Sequence, residues 1–196
     1  MSQRVSLHEW LNGREPLDLL DGRRFSAAEL MTAAQVDTHQ LTNILNKTDL
    51  ELCSVSAGQG RARQFCLIDV YQIALFRALM RLTENARWAA HGLNGVLFHD
   101  RFAGASHLEE LSAEADRGWC ARCCESIKTA PALYWQRTEE SPHFIYSDSL
   151  LLGLSSGQGP LADPLFMSGV VVNATRVLRG VDVALLEAIR RRESAT

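Results

Sequence analysis

Three stretches of the sequence carry side chains whose types and spacing could do chemistry. Cys120-Ala-Arg-Cys123-Cys124 has the CxxC spacing that suits a zinc ion or a redox dithiol. A structural zinc site wants four ligands, and no second CxxC or HxxxH accompanies this one. His99 and His107 join it only if the fold brings them close. Cysteine is also a small hydrophobe at home in protein cores, and for Cys120, Cys123 and Cys124 core packing outweighs metal or redox use. His99-Asp100 could be half of a catalytic pair. No nucleophile elbow, Walker loop or HExxH helix stands with it, so the chain is not expected to be an enzyme, and no cofactor is expected.

The third stretch is Gly58-Gln-Gly-Arg-Ala-Arg-Gln-Phe65. Glycine reaches positive φ without strain, so Gly58-Gln-Gly60 fits a hairpin tip that can approach another backbone closely. Arg61 and Arg63 are two residues apart, and an extended strand puts both on one face. Arginine forks suit phosphate oxygens and groove edges. The chemistry on offer is therefore contact with a polyanion.

Elements on either side must position that stretch. Before it, Ser26 and Glu29 form a capping box, and a short helix follows from Ala27 to about Gln35. After a break at Val36-Asp37, Asp37 or Thr38 caps a second helix to about Asn46. Leu41, Ile44 and Leu45 stand on one side, with His39, Gln40, Thr42, Asn43, Asn46 and Lys47 on the others. Two short helices joined this closely read as a helix-turn-helix. Leu52, Val55 and Phe65 fit short strands. Cys66 then occupies a cap position with Asp69 three residues on, and Ile68, Tyr71, Leu75, Leu79 and Leu82 follow at helical spacing. Thr83-Glu-Asn-Ala starts a further helix carrying Trp88, Leu93 and Val96, to about Phe98.

This order of helix, turn, helix, glycine-tipped hairpin and capped helix resembles the MerR-type winged helix-turn-helix of bacterial DNA-binding regulators. The resemblance covers about residues 25–98. Its most specific part is Arg63-Gln-Phe65 followed by Leu67-Ile-Asp-Val70. It implies contact with double-stranded DNA through His39, Gln40, Thr42, Asn43, Asn46 and Lys47 of the second helix and Arg61 and Arg63 of the wing. The pattern departs from the family at Thr42-Asn43-Ile44, where an arginine and aromatic residues usually stand. It departs again after residue 100, where family members often continue into one long coiled-coil helix.

Here that region reads as a separate α+β module. Arg101 to Ala105 is the expected boundary between residues 1–101 and residues 106–196. Ser106 with Glu109 opens a helix to about Ile127. Ala132 to Thr138 and His143 to Ser147 read as strands around Glu139-Glu-Ser-Pro142, and Gly169 to Val172 as a third. From Asn173 a last helix places Val177, Val181, Leu185 and Ile189 on one stripe, widened by Leu178, Ala184 and Ala188. That stripe is expected to face the small sheet of Trp135, Ile145 and Val171, or a second copy of the chain. The Gly-Gln-Gly echo at Ser155-Ser-Gly-Gln-Gly159 reads as a similar turn. The expected class is mainly α with small β.

Bulk numbers set the outer limits. A chain of 196 residues with 46% apolar and 22% charged residues can bury a real core. Net charge is −3, so any basic surface must be local. Residues 23–87 carry eight Lys or Arg against six Asp or Glu, and residues 102–196 carry nine against twelve. No apolar run approaches the ~20 residues of a membrane helix, and the first ten residues lack a signal-peptide core. The expectation is a cytoplasmic bacterial transcriptional regulator with its 5 cysteines reduced. It acts as a homodimer through residues 106–196, with an effector, RNA polymerase or another protein as further partner. An excisionase-like DNA-bending accessory and a thiol- or metal-responsive regulator through Cys120, Cys123 and Cys124 are the alternatives.

Overall fold

A computed structural model describes residues 11, 19–20, 22–52, 62–94, 133–137, 142–146 and 168–194. For 91–92, 133–137, 142–146, 168–171 and 174–175 it describes the backbone alone. The expected helix at 106–127, Val96, Phe98 and the boundary at 101–105 lie outside the described residues.

The fold is mainly helical with small antiparallel sheets. Strand β1 (Phe25–Ser26) runs straight into helix α1 (Ala27–Ala34). Ser26 caps α1 as its spacing to Glu29 predicts: Ser26 Oγ accepts from the Glu29 N–H at 3.3 Å, and the Glu29 carboxylate accepts from the Ser26 N–H at 2.9 Å. Helix α1 ends at Gln35, whose φ of 54° is left-handed and closes the last turn on Met31. Val36 is buried in the turn, and Asp37 caps helix α2 (Thr38–Lys47).

Strand β2 (Gln64–Phe65) pairs antiparallel with β1, Phe25 opposite Phe65 and Ser26 opposite Gln64. Both phenylalanines are 1% exposed. Phe25 reads in the sequence only as the residue before a cap, because a two-residue strand has no periodicity to show.

Helix α3 (Leu67–Thr83) is the centre of the molecule. The Cys66 N–H donates to Asp69 at 3.0 Å, the backbone half of the expected box. Every residue from Leu67 to Phe76 is buried, so α3 is covered all round rather than along one stripe. Leu82, assigned to the stripe by spacing, is instead 53% exposed and lies at the lip of a cleft. Glu84, with φ 53°, ends α3, and the Asn85 side chain accepts from the Trp88 N–H to cap helix α4 (Ala86–Asn94).

Strands β3 (Leu133–Arg137), β4 (Pro142–Tyr146) and β5 (Ser168–Val172) form an antiparallel sheet in the order β4-β3-β5. Leu133 stands opposite both Tyr146 and Val172. These are the three strands the alternation predicts, within a residue or so at each end. Strand β4 lies against α4 and β5 against α3.

Helix α5 (Ala174–Glu193) is capped by Asn173, which accepts from the Arg176 N–H at 2.9 Å. Its predicted partner was the small sheet or a second copy. It packs instead on α3 and α1, and Leu178, Val181, Leu185, Leu186 and Ile189 share one apolar cluster with Leu30, Val70 and Leu75. The buried positions alternate by three and four. A run at spacing four drifts around the helix, so Val177 is only partly buried while Leu186 is buried. Each fully buried Leu or Ile contributes about 1.5–3 kcal/mol.

A buried polar contact joins α3 and α5. The Tyr71 hydroxyl of α3 donates to the Asp182 carboxylate of α5, with both residues buried. At the other end of α5, Arg192 meets Glu29 of α1 at 2.8 Å and Glu193 meets Arg23 at 3.6 Å. The first of these makes Glu29 both a cap and an ion-pair partner. No helix among the described residues is long and apolar enough to cross a membrane.

Candidate nucleic-acid interface

Helix α2 carries the candidate base-reading residues. Its apolar side, Leu41 and Ile44, is buried in the common core. That anchoring leaves His39, Gln40, Thr42, Asn46 and Lys47 exposed and Asn43 partly buried. The six residues therefore lie on one helix away from its buried side, with Asn43 at the margin.

Local hydrogen bonds sort the set further. The Gln40 side chain accepts from the Asp37 N–H at 3.0 Å, while the Gln40 N–H donates to the Asp37 carboxylate at 2.7 Å. This capping box engages the Gln40 carbonyl, so the side chain offers chiefly its amide hydrogens. Thr42 Oγ1 donates to the Thr38 carbonyl at 2.8 Å and retains acceptor capacity alone. Asn43 Nδ2 lies 2.9 Å from His39 Nε2, one helical turn away. The amide donates there, which still leaves Asn43 one N–H and its carbonyl oxygen. Those are the donor and acceptor that the N7 and N6 of an adenine need. Asn43, braced by His39, keeps both a donor and an acceptor for an outside partner.

Gln40, Asn43 and Lys47 also line one wall of a cleft of about 350 Å³. Its floor is Val36, Ile44, Phe76, Met80 and Ala86, from the turn, α2, α3 and α4. Lys47 and Arg77 give this cleft positive charge at its edge.

Arg63 is not the exposed hairpin residue that the sequence suggests. It is partly buried, its Nε is shielded from solvent, and its guanidinium lies 5.3 Å from the centre of the Phe65 ring. Strand alternation causes this: residues 63 and 65 point to one face, and Phe65 is already held there by β1. Stacking restricts the guanidinium while leaving its planar fork intact. Arg61, Gly58 and Gly60 lie outside the described residues, as do Cys120, Cys123, Cys124, His99, Asp100 and His107. Cys66 is buried, and among the described residues no group of three His, Cys, Asp or Glu is placed to hold a metal.

Two features were not visible in the sequence. One is the β1–β2 pair, which pins the chain leaving residues 53–61 beside the start of α1. The other is Asn94, at the end of α4. Its amide accepts from the Glu51 N–H at 2.9 Å and donates to the Asp49 carbonyl at 2.5 Å. The chain is thus held on both sides of residues 53–61, by Asn94 before and by β1 after. A polar residue at the last position of a helix is an ordinary cap signal, so Asn94 carried no distinguishing mark.

No protein-family model matches the chain, and no curated protein matches it in sequence.

Proposed function

We propose that residues 25–94 form a winged helix-turn-helix that binds double-stranded DNA, and that the protein regulates transcription. The observation carrying this reading is the β1–β2 pair beside two short helices that meet at the turn 35–37. A segment that leaves α2, is clamped by Asn94 and returns as a strand against β1 has the connectivity of a wing. The mechanism is insertion of α2 in a major groove, with Asn43 reading a base edge. Arg61 and Arg63 lie along the adjacent backbone or minor groove. One such module reads few base pairs, so two copies of the chain, or a protein partner such as RNA polymerase, complete the complex. The dimer interface belongs elsewhere in residues 106–196 than the α5 stripe, which is buried within the chain.

Selection of bound fragments from random and genomic duplexes tests the reading. A discrete set of sequences is expected, bound more weakly as salt rises. Arg61→Ala with Arg63→Ala lowers the salt slope by about one to two units, since each phosphate contact releases counterion. Absence of enriched sequences, together with binding indifferent to salt, sinks the proposal.

A further inference from the structure

Where α1, α3 and α5 meet, the chain encloses a cleft of about 560 Å³, within the ordinary range for small-molecule sites. Its floor is built of small apolar side chains, among them Ala34, Ala74, Ala78 and Val181. Gly180 of α5 lines it too, and a Cβ added there meets nothing within 4 Å, so the space above this helix is open. The rim holds Arg77 and Arg81 from α3 and Arg176 from α5. Arg77 is partly buried, and Arg81 and Arg176 are exposed.

Among the described residues the cluster has no internal compensation: the lining there contains no carboxylate, and no acidic group pairs with Arg77, Arg81 or Arg176. Two other arginines of α5 do pair with carboxylates: Arg190 with Glu187 and Arg192 with Glu29. Arg77 is held toward Gln35 by a hydrogen bond of 3.1 Å from Nη1. Burial first, and then the like charge of Arg81, hold its guanidinium below the ordinary arginine range. An arriving oxyanion relieves the repulsion and accepts charge-assisted hydrogen bonds from the guanidinium groups.

We infer that this cleft is a binding site for a small organic anion, a carboxylate with a compact apolar body. Its oxygens sit between Arg77, Arg81 and Arg176, and its body lies on the alanine, glycine and valine floor. A bare inorganic anion satisfies the rim but leaves the floor wet. A neutral apolar molecule covers the floor but leaves three cations facing one another. Only a molecule with both parts uses the whole cleft. The inference does not depend on DNA binding, and its test needs no DNA.

Isothermal titration of the full chain with octanoate and naphthalene-2-carboxylate tests it, with 1-octanol and inorganic phosphate as controls. At least one carboxylate is expected to bind with a saturable isotherm and a Kd below about 1 mM, tighter than either control by about tenfold or more. Arg81→Gln with Arg176→Gln, both at exposed positions, is expected to weaken that carboxylate about tenfold with the melting temperature nearly unchanged. Gly180→Leu, which fills the open space, is expected to weaken it similarly with all three arginines in place. Failure of both carboxylates to bind overturns the proposal. So does affinity unaltered in both variants, and so does phosphate binding as tightly as the carboxylates.

Discussion

Helices α2 and α5 both start at a side-chain cap and both carry an apolar stripe with polar residues opposite, yet they meet different fates. Helix α2 buries only Leu41 and Ile44 and keeps its polar side open, its hydrogen bonds made within its own turns. Helix α5 buries a wide face, and with it the carboxylate of Asp182, against α3 and α1. One helix is anchored lightly and offers its side chains outward. The other is structural, although it lies far along the chain from the helices it covers. Amphipathic patterning says that a helix has a face to bury but does not say on what.

The largest effect that tests this contrast is loss of α5 packing. Leu185→Ala removes a fully buried side chain at the α5–α3 contact and is expected to destabilise the protein by about 2–5 kcal/mol in denaturant unfolding. A cost below about 1 kcal/mol would mean that α5 is not part of the common core. Tyr71→Phe comes next. It leaves the Asp182 carboxylate without its tyrosine donor, and about 1–3 kcal/mol is expected. A double-mutant cycle with Asp182→Ala isolates the pair, and strictly additive losses would remove their coupling.

On α2 the order of effects is reversed. Asn43→Ala is expected to change stability by no more than about 0.5 kcal/mol, because its side-chain hydrogen bond is a surface one to His39. The same change should weaken the preferred DNA site by about 1–3 kcal/mol while sparing random duplex. Equal loss on all sequences would make Asn43 a backbone contact. The smallest effect is expected from Arg192→Ala, which breaks an ion pair to Glu29 at the rim of the α5–α1 contact. Its arginine is largely solvent-exposed, so about 0.2–1 kcal/mol is expected, shrinking as salt is raised.

Much of the local structure was legible in the sequence for identifiable reasons. Ser26 with Glu29 is a short-range device that spacing alone reveals, while for α2 the sequence left Asp37 and Thr38 as alternatives and the structure puts Asp37 in the box with Gln40. Strands β3 and β4 were legible on either side of Glu139-Glu-Ser, with Pro142 falling inside β4 and not in the turn, and β5 was legible as a run of valines. The outward set on α2 followed from the placement of Leu41 and Ile44. What could not be read was any contact between distant segments: Phe25 with Phe65, Asn94 with Asp49 and Glu51, and Tyr71 with Asp182. Arg63 was misjudged for the same reason, since its exposure depends on where β1 holds Phe65.

By itself, then, the sequence determined the longer helices and strands among the described residues, the cap of α1, and which side chains of α2 oppose its apolar side. These depend on backbone geometry and on neighbours within one or two turns. Tertiary structure alone decided that α3 is enclosed all round from Leu67 to Phe76, that α5 closes over it, and that Arg77, Arg81 and Arg176 line one open cleft. The physical reason is that burial is non-directional. An apolar stripe gains nearly the same free energy against any complementary surface, and only the competition among all surfaces of the chain selects one.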